Sequence, residues 1–172
     1  MEFLVISDTH GDRAALSALL SACPGVDAVI FLGDGLREVE ALAAEGGHPP
    51  ILSVRGNCDS PTSPYGGVRL EEIVVSFCGH RLLLLHGHTA SAKSGMGGLI
   101  ALARRHGADI VLFGHTHVPR EQYLPAEEGG PLWLLNPGSL GHPADGVPTF
   151  GRLLLGDAGD VLFSVGRQGV SA

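Results

Sequence analysis

Cysteine is scarce in this chain, with three residues in 172: Cys23, Cys58 and Cys78. Their spacing matches no thiolate zinc framework, and an odd count closes no full set of disulfides. A reducing cytosol is the expected compartment. Aromatic residues are 5%, too few for a large base-stacking platform. Charged residues are 17%, with 18 acidic against 11 basic, for a formal net charge of −7. A general nucleic-acid surface needs the opposite sign, so stable nucleic-acid binding is not expected. A phosphate-bearing small molecule remains open, because bound cations invert the charge locally. No apolar run approaches membrane-spanning length. The opening "MEFLVISDTHGD" has no basic segment before its short apolar run and reads as a first strand, not a signal peptide. The expectation is a cytoplasmic protein with no membrane partner.

What is present is 44% hydrophobic residues and 26 glycines. That suits one globular domain over residues 1–172, with a sizeable core and many tight turns. No internal repeat or interdomain linker is visible. Short apolar segments read as strands at 3–7, 28–32, 51–54, 71–77, 81–86, 109–113, 132–135, 152–156 and 161–165. Helical patterns fall at 12–23, 36–47 and 97–107, the first with Asp12 at its start and the other two ending in glycine. The order strand–helix–strand–helix–strand in the first half predicts a parallel sheet. The segments flanking "CG" at 78–79 predict an antiparallel hairpin. After residue 118 only short strands and turns remain. Segments 60–67 and 125–130 are long enough to be surface excursions.

Metal-capable side chains recur where these strands end. "FLVIS" leads into Asp8-Thr9-His10, "AVIFLG" into Asp34, "ILSVRG" into Asn57, "RLLLL" into His86-Gly87-His88, and "DIVLFG" into His115-Thr116-His117. Ligands of open α/β sheets bind beyond the carboxyl ends of the strands, so these groups converge if the strands share a sheet region. In an extended segment residues i and i+2 face the same way, which would pair Asp8 with His10 and His115 with His117. A lone Asp or His at a strand end is more often a turn residue or a cap. Five separate ends with metal-capable groups are hard to assign to capping, which gives no reason for the repeated histidines. Imidazoles, carboxylates and one amide, without thiolate, suit manganese, iron or zinc better than calcium. Seven groups are too many for one tetrahedral ion, and about right for two ions sharing a carboxylate at the ~3.5–4 Å spacing of two-metal sites.

"SDTHG" (7–11), "GD" (33–34), "GNCD" (56–59), "HGH" (86–88) and "GHTH" (114–117) resemble, in order, the motifs of calcineurin-like metallophosphoesterases. "NPGS" (136–139) and the short length resemble the YfcE-type phosphodiesterase branch. The resemblance spans residues 3–155. It implies an αββα sandwich of two mixed sheets flanked by helices. It also implies a dinuclear centre of two divalent ions, manganese first, with iron, zinc or nickel as alternatives. Asp8, His10 and His117 would hold one ion; Asn57, His86 and His115 would hold the other; Asp34 would bridge them. A hydroxide between the ions would attack phosphorus, and the ions would offset the charge on the phosphoryl oxygens. Two such ions bring four positive charges. Asp8, Asp34 and the hydroxide cancel three, leaving about one, which a diester monoanion neutralises and a monoester dianion overshoots.

Many relatives carry His where this chain has Cys58, and that His is a proposed acid for the leaving group. A thiol of pKa about 8.5 matches the task less well. His88, two residues beyond His86, is the substitute candidate. A phosphate contact without proton transfer is its equal alternative. The expected catalytic set is therefore His88, Asn57 and Asp34.

Asp59 is expected to orient the Asn57 loop. Lys93 reads as a solvated loop lysine rather than a phosphate contact. Asn136 and Ser139 read as a structural turn or as supports for the ligands. His48, His80, His106 and His142 read as surface residues, and Cys23 and Cys78 as small packing groups. The leading function is a metal-dependent phosphodiesterase acting on a small diester. A protein-binding scaffold of the same fold, as in the retromer scaffold subunit, is the alternative. A nucleotide-specific phosphoesterase is a third, with only Tyr65 placed to stack on a base. Exposed strand edges leave homo-oligomer formation open.

Overall fold

The structure, a computed structural model, describes residues 1–126, 129–156 and 159–169. Residues 127–128 of the expected surface excursion 125–130 lie outside them.

The chain runs β1 (Glu2–Ile6), α1 (Arg13–Ala22), β2 (Ala28–Phe31), α2 (Leu36–Glu45), β3 (Ile51–Ser53), β4 (Glu72–Phe77), β5 (His80–Leu85), α3 (Gly97–His106), β6 (Ile110–Phe113), β7 (Arg120–Leu124), β8 (Leu132–Asn136), β9 (Thr149–Leu155) and β10 (Val161–Arg167). One sheet has the order β10-β9-β1-β2-β3, the other β4-β5-β6-β8-β7. In the first, β1, β2 and β3 are parallel, and β9 and β10 join antiparallel. In the second, β5, β6 and β8 are parallel between antiparallel β4 and β7. Both sheets are therefore mixed, and β4–β5 is the hairpin expected around "CG".

The central strands are apolar on both faces because both faces are covered. Phe3, Val5, Ile30, Leu82, Leu84, Ile110 and Leu112 meet between the sheets. Leu4, Ile6, Val29 and Phe31 turn outward against Leu16 and Leu19 of α1 and Val39 of α2. Leu83, Leu85, Val111 and Phe113 turn the other way, against Leu99 and Ala103 of α3. The result is a four-layer αββα sandwich. Asp12 caps α1 by accepting from the Ala15 N–H at 2.9 Å. Gly107 ends α3 in the left-handed conformation.

One strand, β7, was not expected. "REQYL" has no apolar face, and its burial pattern is largely exposed. It forms as an edge strand by antiparallel pairing with β8.

Candidate metal centre

The parallel strands β1, β2 and β3 of one sheet and β5 and β6 of the other end on one side of the sandwich. The loops leaving them carry all the expected ligands. These loops are not extended. Among the described residues seven non-glycine residues have positive φ, and five are expected ligands: Asp8 (56°), His10 (47°), Asp34 (58°), His115 (66°) and His117 (59°). The side chains of residues i and i+2 are therefore not aligned here by an extended backbone. Left-handed turns, not strand pleating, turn these side chains inward. Each such residue costs roughly 1–3 kcal/mol, a cost typical of backbone held for a function. The turns are held by neighbouring backbone: Asp8 N–H donates to Gly33 O (2.9 Å) and His10 N–H to Asp34 O (3.0 Å). Two motif glycines are required by contact. A Cβ on Gly56 would stand 2.1 Å from Asp34 Oδ1, and one on Gly114 would stand 1.9 Å from Ser7 Oγ.

Each carboxylate has one oxygen tied down and one turned to the histidines. Asp8 Oδ2 accepts from Ser7 Oγ (2.5 Å) and from the His115 N–H (3.1 Å). Asp8 Oδ1 is buried, makes no hydrogen bond, and lies 3.1 Å from His117 Nε2 and 3.7 Å from His10 Nε2. Asp34 Oδ1 accepts from the Cys58 N–H (2.7 Å), leaving Oδ2 3.4 Å from His86 Nε2 and 3.9 Å from His10 Nε2. The imidazoles follow the same logic. His86 Nδ1 donates to Leu32 O (2.7 Å) and His117 Nδ1 to His142 O (2.6 Å). Both rings therefore turn Nε2 to the cluster, as a backbone carbonyl behind a ligating histidine does. Donor atoms of Asp8, His10 and His117, and of Asp8, Asp34 and His86, lie within 4.8 Å of one another.

Burial works against charge on Asp8. The nearby imidazoles of His10, His117 and His86 and the Ser7 hydroxyl outweigh it and hold the carboxyl well below its usual range. Asp34 is likewise buried, yet His86 and the Cys58 N–H bring it down to about 2. His86 moves the other way: burial lowers its pKa, but Asp34 and Asp8 raise it on balance. His115 is depressed to about 4, first by burial, then by His86 and Lys93. Two buried anions draw the pKa values of His86 and His117 upward, and the same negative charge suits the cluster to a cation.

The remaining expected residues are placed as follows. His115 stands beside His86, ring centroids 5.0 Å apart. Asn57 is exposed, and its amide meets Cys58 Sγ at 3.3 Å instead of the carboxylates. His88 is half-buried, 5.5 Å from the His86 ring, with Nδ1 buried and unbonded. Cys58 Sγ faces the cluster, within 4.8 Å of His10 and Asp34 donor atoms. Asp59 does more than orient one loop. Its carboxylate accepts from the N–H groups of Asp34, Gly35, Leu36 and Gly56 at 2.8–2.9 Å, capping α2 and joining two ligand loops. Asn136 Nδ2 donates to Gly114 O (2.9 Å), and Ser139 Oγ to Asp8 O (2.9 Å), so "NPGS" supports ligand loops of both sheets.

Two histidines read as surface residues need correction. His142 is exposed, but its ring stacks on His10 at 4.7 Å and its carbonyl orients His117. The long return from β8 to β9 brings it there, and no local pattern signals that. The His80 side chain is only 12% exposed, because its Nδ1 donates to Asp109 Oδ2 (2.6 Å). His48 and His106 are half-buried as well.

The family model of the calcineurin-like phosphoesterase superfamily domain matches residues 1–157. The chain belongs to this superfamily. Membership makes it, by class, a hydrolase of phosphoric ester bonds. Phosphodiesterase YfcE of Escherichia coli (strain K12) is 31% identical over an alignment of 179 positions, covering 89% of this chain and 87% of YfcE. A predicted phosphoesterase of Streptococcus pneumoniae TIGR4 superposes with a TM-score of 0.70 at 26% identity, over 97% of each chain. Zinc-complexed Vps29 of Entamoeba histolytica superposes at 0.71 and 20% identity, over 97% of this chain and 99% of its own, a likeness of fold alone. Among the described residues no helix of this phosphoesterase is long and apolar enough to cross a membrane.

Proposed function

We propose that the protein is a metal-dependent phosphodiesterase acting through residues 8–117 within one domain of 1–172. The observation that carries this reading is the convergence of donor atoms with nothing to bond: Asp8 Oδ1 and His86 Nε2 are buried without a partner, and Asp34 Oδ2 faces the same space. An uncompensated buried polar atom costs about 1–3 kcal/mol, which a bound cation would offset. The donor set fits divalent ions with mixed nitrogen and oxygen preference, manganese first. Asp8, His10 and His117 are assigned to one ion, Asn57, His86 and His115 to the other, and Asp34 to both. When bound, two such ions supply a nucleophilic hydroxide near neutral pH and offset charge on the phosphoryl oxygens.

The chain's own residues do the rest. Asp34 places one oxygen between the histidines of the two sheets while the Cys58 N–H fixes the other. Leu32 O and His142 O hold the His86 and His117 rings in the tautomer that leaves Nε2 free. Asn57 closes the set from the exposed side, for which its amide must turn away from Cys58 Sγ. His88 is assigned to the leaving-group side, as proton donor or phosphate contact. The relative named phosphodiesterase and the charge count both favour diesters.

Chelator-stripped protein should gain hydrolysis of bis(4-nitrophenyl) phosphate on addition of manganese, with metal content measured on the same sample. Asp34→Asn should lose roughly 10³-fold in kcat. Protein loaded with manganese, iron or zinc that cleaves no diester or monoester would leave the scaffold reading, which the Vps29 likeness supports by fold only.

A further inference from the structure

Beside the cluster lies an open cleft of about 770 Å³, between the start of α2 and the loop 58–64. That volume is far more than one phosphoryl group needs and falls within the range of small-molecule sites. His10, Asp34 and Cys58 form its inner end. A diester whose phosphorus sits at the cluster must send one substituent outward, and this cleft offers it room.

The charges lining the cleft are almost all committed. Glu38 accepts from the Gly11 N–H and from Thr9 Oγ1. Asp59 accepts from four backbone N–H groups. Arg69 is paired with Glu40 behind the wall (2.6 and 2.9 Å). Arg37 is the exception: its side chain is exposed, lines the cleft, and makes no hydrogen bond or ion pair with any described residue. It is one of only 11 basic residues in a chain of net charge −7. Among the described residues no Phe, Tyr or Trp lines the cleft, so nothing there reads a nucleobase by stacking. The guanidinium of Arg37 is the one cation of the cleft with its hydrogen-bond donors uncommitted among the described residues, and such a group binds an oxyanion in a two-pronged fork.

The geometry points to Arg37 as a specificity residue that binds a second anionic group on the substituent of the substrate lying in this cleft. The preferred substrate class is then a phosphodiester bearing a further phosphate or carboxylate, rather than a diester with two neutral arms. The assignment rests on the phosphodiesterase reading above for the place of the phosphorus.

The test uses phosphinates, which mimic a diester anion but have no P–O–C bond to hydrolyse. Binding of dipropylphosphinate, its 3-carboxypropyl analogue and its 3-phosphonopropyl analogue to manganese-loaded protein is measured by titration calorimetry, with hexyl-tethered versions alongside. In the wild type the second anion should tighten binding by about tenfold at one tether length, as one charge-assisted contact would. The two analogues rank phosphate against carboxylate. Arg37→Gln should abolish that increment, and Arg37→Lys should keep part of it. Equal affinities for all the phosphinates in the wild type would overturn the assignment. So would an increment that survives Arg37→Gln, or one that disappears instead with Lys93→Ala. Binding is read without turnover, so absence of diesterase activity tells against the phosphodiesterase reading separately.

Discussion

Cys58 stands where the expected proton donor of the motif would be. Although Cys58 is exposed, local desolvation at its sulfur, then the neighbouring Asp34 and the charges of Asp59 and Asp8, push its thiol up to about 11. Such a group holds its proton too tightly to assist departure of an alkoxide as well as an imidazole near neutrality does. Its backbone, by contrast, is needed, because the Cys58 N–H fixes Asp34 Oδ1. Side chain and main chain are therefore separable. Cys58→His should keep the Asp34 contact and raise kcat on dialkyl diesters by roughly 10- to 100-fold, with a much smaller gain on bis(4-nitrophenyl) phosphate, whose leaving group needs no acid. The ratio of the two rates is the measurement. Equal gains on both substrates would mean that the introduced imidazole acts by something other than proton donation.

At the level of elements, the loop from Asn57 to Leu70 is fastened to α2. Glu40 accepts from Arg69 and from Ser63 Oγ, and Arg69 also donates to Ser60 O (3.0 Å). The pair is largely buried, with side-chain exposures of 7% for Arg69 and 21% for Glu40. The Arg69 contact holds the Glu40 carboxyl below its ordinary value of 4.5. A carboxyl lowered in the folded state stabilises above its unfolded pKa, and that stabilisation is lost as pH falls through the folded value. Glu40→Gln should therefore cost about 1–2 kcal/mol at pH 7 in urea denaturation. The difference from wild type should shrink below pH 4.5, the ordinary value of the carboxyl. A difference constant down to a pH of about 3 would exclude the ionic account. None of this anchoring shows in the sequence, where Glu40 and Arg69 are two ordinary charges 29 residues apart. The strands and helices themselves were legible, because apolar runs and caps are local. Strand β7 was not, because an edge strand with polar faces takes its conformation from its neighbour. The inward turn of Asp8, His10, Asp34, His115 and His117 was legible as a destination but not as a geometry, since left-handed φ at non-glycine residues has no sequence signature beyond the glycines beside them.

Across the whole molecule the cluster is assembled from both sheets. Asp8, His10 and Asp34 follow strands of the first, with the proposed ligand Asn57 beside them, and His86, His115 and His117 follow strands of the second. The protein ties between these halves include the His115 N–H to Asp8 Oδ2, the His86 Nδ1–H to Leu32 O and Ser139 Oγ to Asp8 O. Five motifs in fixed order make this convergence legible in the sequence. The supporting carbonyl of His142 was not, because it arrives on a loop that carries no ligand. Cations held by groups from both sheets bind only when the sheets are docked, so their binding free energy adds to folding. Manganese at about a hundred times its Kd should add about 2.7 kcal/mol. For a chain of this size that is a rise in Tm of roughly 5–10 °C over chelator-stripped protein in scanning calorimetry. Asp34→Asn weakens one of the two carboxylates that face histidines of both sheets, and should lose most of the rise while folding without metal. If manganese raises Tm equally in both proteins, the ion sits elsewhere. If it raises neither, the unpartnered atoms of Asp8 and His86 are satisfied by something other than a cation.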